Sequence, residues 1–151
     1  MIQMKAHFFL ALVIVGQCSA TLHADVLSIK SETSFGECVG YCRTTLVITS
    51  KKVTLTEFSW DKSQPARSAS RGTSVAEWLR LSKGAPLRAI FKLPSVIGDP
   101  DSADGGAETL EINTGTLDKK STFDYGARIL GIDAYLEIIR KIRQQMDARL
   151  R

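Results

Sequence analysis

Thr45-Leu46-Val47-Ile48-Thr49-Ser50-Lys51-Lys52-Val53-Thr54-Leu55-Thr56-Glu57-Phe58 decides the fold class. Two runs rich in β-branched residues flank a Ser-Lys-Lys break, the pattern of two antiparallel strands joined by a turn. A period of two sends Leu46, Ile48, Val53 and Leu55 to one face, toward a core, and the threonines to the other. Upstream, 26–31 alternates well enough for a first strand. Between these runs lies Ser34-Phe35-Gly36-Glu37-Cys38-Val39-Gly40-Tyr41-Cys42-Arg43-Thr44, a turn with two glycines, two aromatic side chains and two cysteines.

Residues 1–24 are read apart from the single domain expected over 25–151. Lys5, the apolar run 8–16 and the small residues after it lay out a secretory signal. The run is too short for a bilayer, which needs about 20 residues in a helix, so no transmembrane span is expected. Small residues admit cleavage after Ala20 or Ala24, and the expected start is Asp25. Lipidation of Cys18 is disfavoured because Gln17 is larger than the residue such a site takes. Export therefore places the protein in the periplasm or outside the cell. Cleavage also removes His7 and His23, the two histidines of the chain. Without them no Ser-His-Asp or Cys-His mechanism is available, and zinc loses its commonest ligand. The formal charge falls from +4 to +3 with the loss of Lys5. Basic residues gather only on the last helix, at Arg140, Lys141, Arg143, Arg149 and Arg151, which reads as a solvated helix end. Nucleic acid is not an expected partner.

Downstream of the hairpin, 61–73 has almost nothing to bury and predicts a mobile surface loop. Ser74-x-x-Glu77 is a capping box for a helix carrying Val75, Trp78, Leu79 and Leu81 and ending near Gly84. Pro86 opens a second helix over 87–93, with Leu87, Ile90 and Phe91 on one face. The stretch 98–108 is an acidic loop with two adjacent glycines. A second antiparallel pair is expected over 107–113 and 121–125 around Gly115, with Leu110 and Ile112 facing Phe123 and Tyr125. The last helix, 132–149, aligns Ile132, Leu136, Ile139, Ile142 and Met146 and places Glu137 one turn before Lys141. The expected class is α+β: a small antiparallel sheet of two hairpin regions, a helical layer on one face and a long C-terminal helix.

Ser34-Phe35-Gly36-x-Cys38-x-Gly40-x-Cys42-x-Thr44, two following strands, a Trp78-bearing helical region, Leu93-Pro94 and Ala103-Asp104-Gly105-Gly106-Ala107-Glu108 together resemble a family of uncharacterised bacterial exported proteins. The resemblance covers most of the chain after the signal. It implies an exported α+β domain and brings no activity, substrate or catalytic residue. It also implies that a second crosslink of some members is missing here, where Asp99 and Ser102 stand in place of cysteines.

By residue type alone, Cys38 and Cys42 are a disulfide, a redox pair or two metal ligands. Export to an oxidising space favours the disulfide, whereas a redox pair would be Cys-x-x-Cys at a helix start and zinc would need two more ligands. Asp99, Asp101, Asp104 and Glu108 offer hard oxygen donors in a glycine-bearing loop, the chemistry calcium takes. Ala103 breaks the EF-hand register, however, and aspartates in loops more often close turns. Asp104, Glu108 and Glu111 are the carboxylates from which a glycosidase pair would be drawn. Trp60, at a strand end beside a polar loop, is the best candidate for an exposed aromatic contact, although such a position more often buries its ring, and Trp78 is expected in the core. No motif specifies a reaction, a metal or a cofactor. The expected function is a small exported non-catalytic module that binds a protein or polymer of the bacterial envelope. The alternative is a carboxylate-dependent hydrolase acting on an envelope polymer.

The Cys38–Cys42 bond is expected to be structural. Its loop is short, so chain entropy assigns it about 2 kcal/mol. Replacing both cysteines with serine should lower Tm by several degrees and keep the fold. Intact mass with and without reduction before alkylation checks the bond, and two free thiols in the unreduced protein would exclude it. An unchanged midpoint in the double variant would exclude the structural role.

Overall fold

A computed structural model describes residues 25–60 and 64–151. The expected signal segment, its expected cleavage sites and Cys18 lie outside the described residues. Seven strands form one sheet: β1 (Ser28–Ser34), β2 (Tyr41–Thr49), β3 (Lys52–Ser59), β4 (Arg67–Gly72), β5 (Val96–Ile97), β6 (Ala107–Asn113) and β7 (Asp118–Asp124). The order across the sheet is β4-β3-β2-β1-β6-β7-β5. All pairings are antiparallel except that of the two-residue edge strand β5 with β7. Three helices accompany it: α1 (Val75–Lys83), α2 (Leu87–Ile90) and α3 (Asp133–Asp147). None is long and apolar enough to cross a membrane among the described residues.

The sheet is larger than the small two-hairpin sheet expected, and β1 is the reason. It uses both edges, pairing with β2 on one side and β6 on the other, so the two hairpin regions become one surface. Its position was obscured by composition: Ile29 is the one large apolar side chain in Ser-Ile-Lys-Ser-Glu-Thr-Ser. Ser31 and Thr33 share its buried face and are satisfied there, Thr33 by the hydroxyl of Thr44 at 2.7 Å and Ser31 by the guanidinium of Arg143.

Register carries the inward residues of the first hairpin across the sheet. Val53 stands beside Ile48, which stands beside Ile29 and then Ile112; Leu55 and Leu46 form the parallel row that leads through Ser31 to Leu110. These side chains share one core with Leu81 of α1, Ile90 of α2 and the α3 stripe Leu136, Ile139, Ile142 and Met146. The helices therefore lie on one face, as the class expected from sequence requires. The opposite face carries Thr45, Thr54 and Thr56 with Lys30, Glu32 and Glu111, half-buried and, among the described residues, bearing no helix.

Four local readings change. Within the expected loop 61–73, Arg67–Gly72 is an edge strand, paired with β3 from Glu57↔Arg67 to Lys52↔Gly72. It lacks large apolar residues because its inward positions are Arg67, Ala69 and Arg71, and the arginines end in ion pairs with Glu57 and Glu77. Glu77 also completes the cap of α1, where the Ser74 side chain accepts from its amide. That helix turns Val75 and Leu79 to solvent and buries Leu81. Phe123 stands opposite Glu108 rather than Leu110 or Ile112, whose partners are Ser121 and Lys119. Glu137 pairs with Arg140, not Lys141.

Adjacent positions in β2 test the one-sided core. Ile48→Ala should cost about 2–5 kcal/mol, whereas Val47→Ala on the opposite face should cost well under half as much. Urea unfolding of the two variants measures both; equal losses would mean that the sheet is covered on both sides.

Candidate functional site

At one end of the sheet, β1 and β3 finish, β2 begins and β6 and β7 meet the loops around them. The cysteine turn and the acidic loop, far apart in sequence, interlock there. Cys38 and Cys42 are disulfide-bonded, with α-carbons 5.6 Å apart. The Phe35 amide donates to the Cys42 carbonyl at 3.0 Å, closing the turn across the crosslink. The Gly36 amide donates to the Asp101 carboxylate at 3.1 Å. A Cβ at Gly36 would stand 3.0 Å from that carboxylate, and one at Gly106 would enter the Phe35 ring at 2.5 Å. Gly106 also sits at φ +80, which disfavours any other residue.

The same turn organises the aromatic residues. The Phe35 and Tyr125 rings meet edge to face at 4.9 Å, and the Trp60 indole N–H donates to the Phe35 carbonyl at 2.5 Å. Tyr41 is engaged elsewhere: Arg67 covers its ring at 4.2 Å, and its hydroxyl donates to the Pro65 carbonyl. Three large apolar side chains remain exposed at this end, Val39 fully, Tyr125 at 50% and Trp60 at 49%. Trp60, for which burial at a strand end was the favoured reading, is half-exposed, and its indole is also a tether.

The acidic residues do not converge. Among the described residues, no group of three or more histidine, cysteine or carboxylate side chains is placed to hold a metal ion. Asp101 closes the contact with Gly36, Asp99 and Asp104 are exposed, and Glu108 is turned into the core. Asp101, Ala103 and Asp104 all have positive φ, at 67, 47 and 59. For Ala103, which has neither glycine's freedom nor a polar side chain to bond locally, this is a strained placement. Glu108 therefore leaves the acidic loop that was weighed as a calcium site. It also parts from Glu111, which projects from the other face of β6, so Asp104, Glu108 and Glu111 do not form a carboxylate pair. Elsewhere, openings of about 590 Å³ along α2 and about 450 Å³ at the start of α3 hold at most one carboxylate each.

Glu108 has no solvent exposure. Arg140 reaches its Oε2 through Nε at 3.0 Å and Nη2 at 2.7 Å, and Arg143 reaches its Oε1 at 2.8 Å. Burial pushes the Glu108 carboxyl up, but the Arg140 hydrogen bond and the charge and hydrogen bond of Arg143 outweigh it and hold the group below the usual carboxylate range. These two arginines were read from sequence as part of a solvated helix end. The helical period contained the contrary signal: Arg140 follows Leu136 by four and Arg143 follows Ile139 by four, which places both beside the buried stripe. A cation there requires a buried acid, and Glu108 is inward on β6.

Compared with protein-family models and with curated proteins, the chain matches none.

Glu108→Gln removes one charge from under two buried guanidiniums and should destabilise the protein by about 3–5 kcal/mol at neutral pH. The depressed carboxyl contributes stability that is fully present above its unfolded value of about 4.3 and is lost as pH falls through the lower folded value. The difference between wild type and variant should therefore shrink in acid. Urea midpoints at pH 7 and pH 3 measure it, and a difference that stays constant or grows would contradict the charge assignment.

Proposed function

We propose that the protein is an exported, non-catalytic binding module of the bacterial envelope, and that it meets an envelope protein or polymer through the disulfide end of the sheet. The observation that carries this reading is the exposure of Val39, Trp60 and Tyr125 on backbone tied by a disulfide, an indole hydrogen bond, an aromatic contact and the Asp101 bridge. Trp and Tyr supply large contact area with few rotatable bonds, and a surface already held in place loses little entropy on binding. The likeness to bacterial exported proteins supports the same reading. Its two most specific motifs, the cysteine turn and the Ala-Asp-Gly-Gly-Ala-Glu loop, are the segments that interlock at this surface.

Affinity capture of the tagged protein from the envelope of its own cell tests the proposal, with Val39→Glu and Trp60→Ala as controls. Wild type should retain a stoichiometric partner and both variants should lose it. Val39→Glu, at a fully exposed position, should leave the unfolding free energy within about 0.5 kcal/mol of wild type. A partner retained by both variants, or turnover of an envelope polymer with no partner captured, would overturn it.

A further inference from the structure

The disulfide end leaves Val39, Trp60 and Tyr125 uncovered, and the charges around them limit what can cover them. Glu37 is exposed two residues before Val39. The Gly36 amide holds Asp101, and with it the loop bearing the exposed Asp99 and Asp104, against the cysteine turn. Asp124 precedes Tyr125, and its carboxylate lies so near the same loop that a Cβ at Gly98 would stand 2.2 Å from its oxygen. None of these five carboxylates has an ion-pair partner among the described residues. Asp101 accepts a neutral backbone amide, which leaves its charge unmatched. The arginines nearby are engaged: Arg140 and Arg143 balance Glu108 and Glu137 one for one, and Arg67 pairs with Glu57. Arg43, on the Phe58 ring, is the remaining cation at this end among the described residues. Five acids thus face one cation at one end of a chain whose formal total is +4.

The acids are spread rather than convergent. No three of them are placed to hold one metal ion among the described residues, so what answers them carries several separate positive charges. The aromatic rings favour the same class. Arg43 lies over Phe58 at 4.7 Å and Arg67 over Tyr41 at 4.2 Å, so this end of the chain twice sets a guanidinium on an aromatic face. Trp60 and Tyr125, each about half-exposed, have no cation over them among the described residues. An apolar centre inside a charged rim is the common anatomy of a protein interface, and a rim of one sign repels a partner of that sign.

We propose that the disulfide end takes a protein partner through a basic segment, whose apolar side chains cover Val39 while its lysines or arginines meet the carboxylate rim and the faces of Trp60 and Tyr125. The proposal rests on the reading of this end as the binding face and adds the class of partner that it accepts.

The probe is the end-capped peptide Lys-Leu-Lys-Leu-Lys, compared with Glu-Leu-Glu-Leu-Glu and Lys-Gly-Lys-Gly-Lys. Each is titrated into protein purified after expression of the full chain, and the Trp60 indole N–H is followed by nitrogen-proton correlation NMR. The chain has two tryptophans, and Trp60→Phe identifies the signal by its loss. The first peptide should give a saturable shift that weakens as salt is raised, and the glycine peptide should bind more weakly. No saturable shift with the first peptide overturns the proposal, as does the acidic or the glycine peptide binding as tightly. Val39→Glu and Val39→Lys, at a fully exposed position, delete the same apolar contact and differ in charge alone. Both should weaken the first peptide, Val39→Lys by about tenfold more than Val39→Glu, the direction set by like charges at short range. Equal losses in the two variants overturn the basic partner and leave the binding face standing. Unchanged affinity in both overturns the face itself, so the two failures are distinguishable.

Discussion

A carboxylate without access to water sits on the core face of β6, and two guanidiniums from α3 make that placement tolerable. Glu108 alone would be neutralised by its surroundings, and Arg140 or Arg143 alone would be buried cations. Together they cost little relative to an apolar trio, yet any arrangement that separates them is penalised by several kcal/mol. The helix is thereby held in one register on the sheet. A turn more or less of α3 would still offer apolar side chains to the core, but it would leave an ion unpaired. The Arg143 bond to Ser31 extends the same constraint to β1, the strand on which both halves of the sheet depend.

A second polar device works at the sheet's far edge. Glu57 is buried and bonded to Arg67, and Arg71 holds both oxygens of Glu77 at 2.7 Å. These pairs let β4 present an inward face whose one apolar side chain is Ala69, and they tie the edge strand to the start of α1. They also blunt an edge that would otherwise present unpaired backbone, since inward-pointing charge disfavours pairing with another chain. Burial of charge, rather than of hydrocarbon alone, thus fixes both lateral limits of the helix layer.

The disulfide end is built on close approach. Phe35 lies on Gly106, and Gly36 lies on Asp101, so each glycine-bearing segment supplies the space that the other fills. This explains why an apparently irregular acidic run is well defined: its aspartate is spent on a backbone amide and its glycine on an aromatic ring. It also explains why strain is tolerated at Ala103, because the loop is anchored on both sides by contacts that fix its path. The exposed Val39, Trp60 and Tyr125 therefore project from a supported surface rather than from a loose one.

Where local pattern and tertiary demand agree, the chain could be read directly. The period of two in 45–58 settled the first hairpin and its inward face; Ser74-x-x-Glu77 settled the start of α1; Leu136, Ile139, Ile142 and Met146 settled the buried stripe of α3. Cys38 and Cys42, four apart in a chain read as exported, implied the crosslink that the structure contains. Pairing partners at long sequence separation were illegible, because hydrogen bonds between strands depend on backbone and carry no side-chain signature. The union of two hairpins through β1, the edge strand β4 and the contact between the cysteine turn and the acidic loop all belong to that class. The direction taken by a charged side chain was equally undecided until its partner was placed. Composition reads Glu108, Arg140 and Arg143 as solvent-facing ions, since water is the default solvent for charge, and only the packed helix and sheet could offer them a better one.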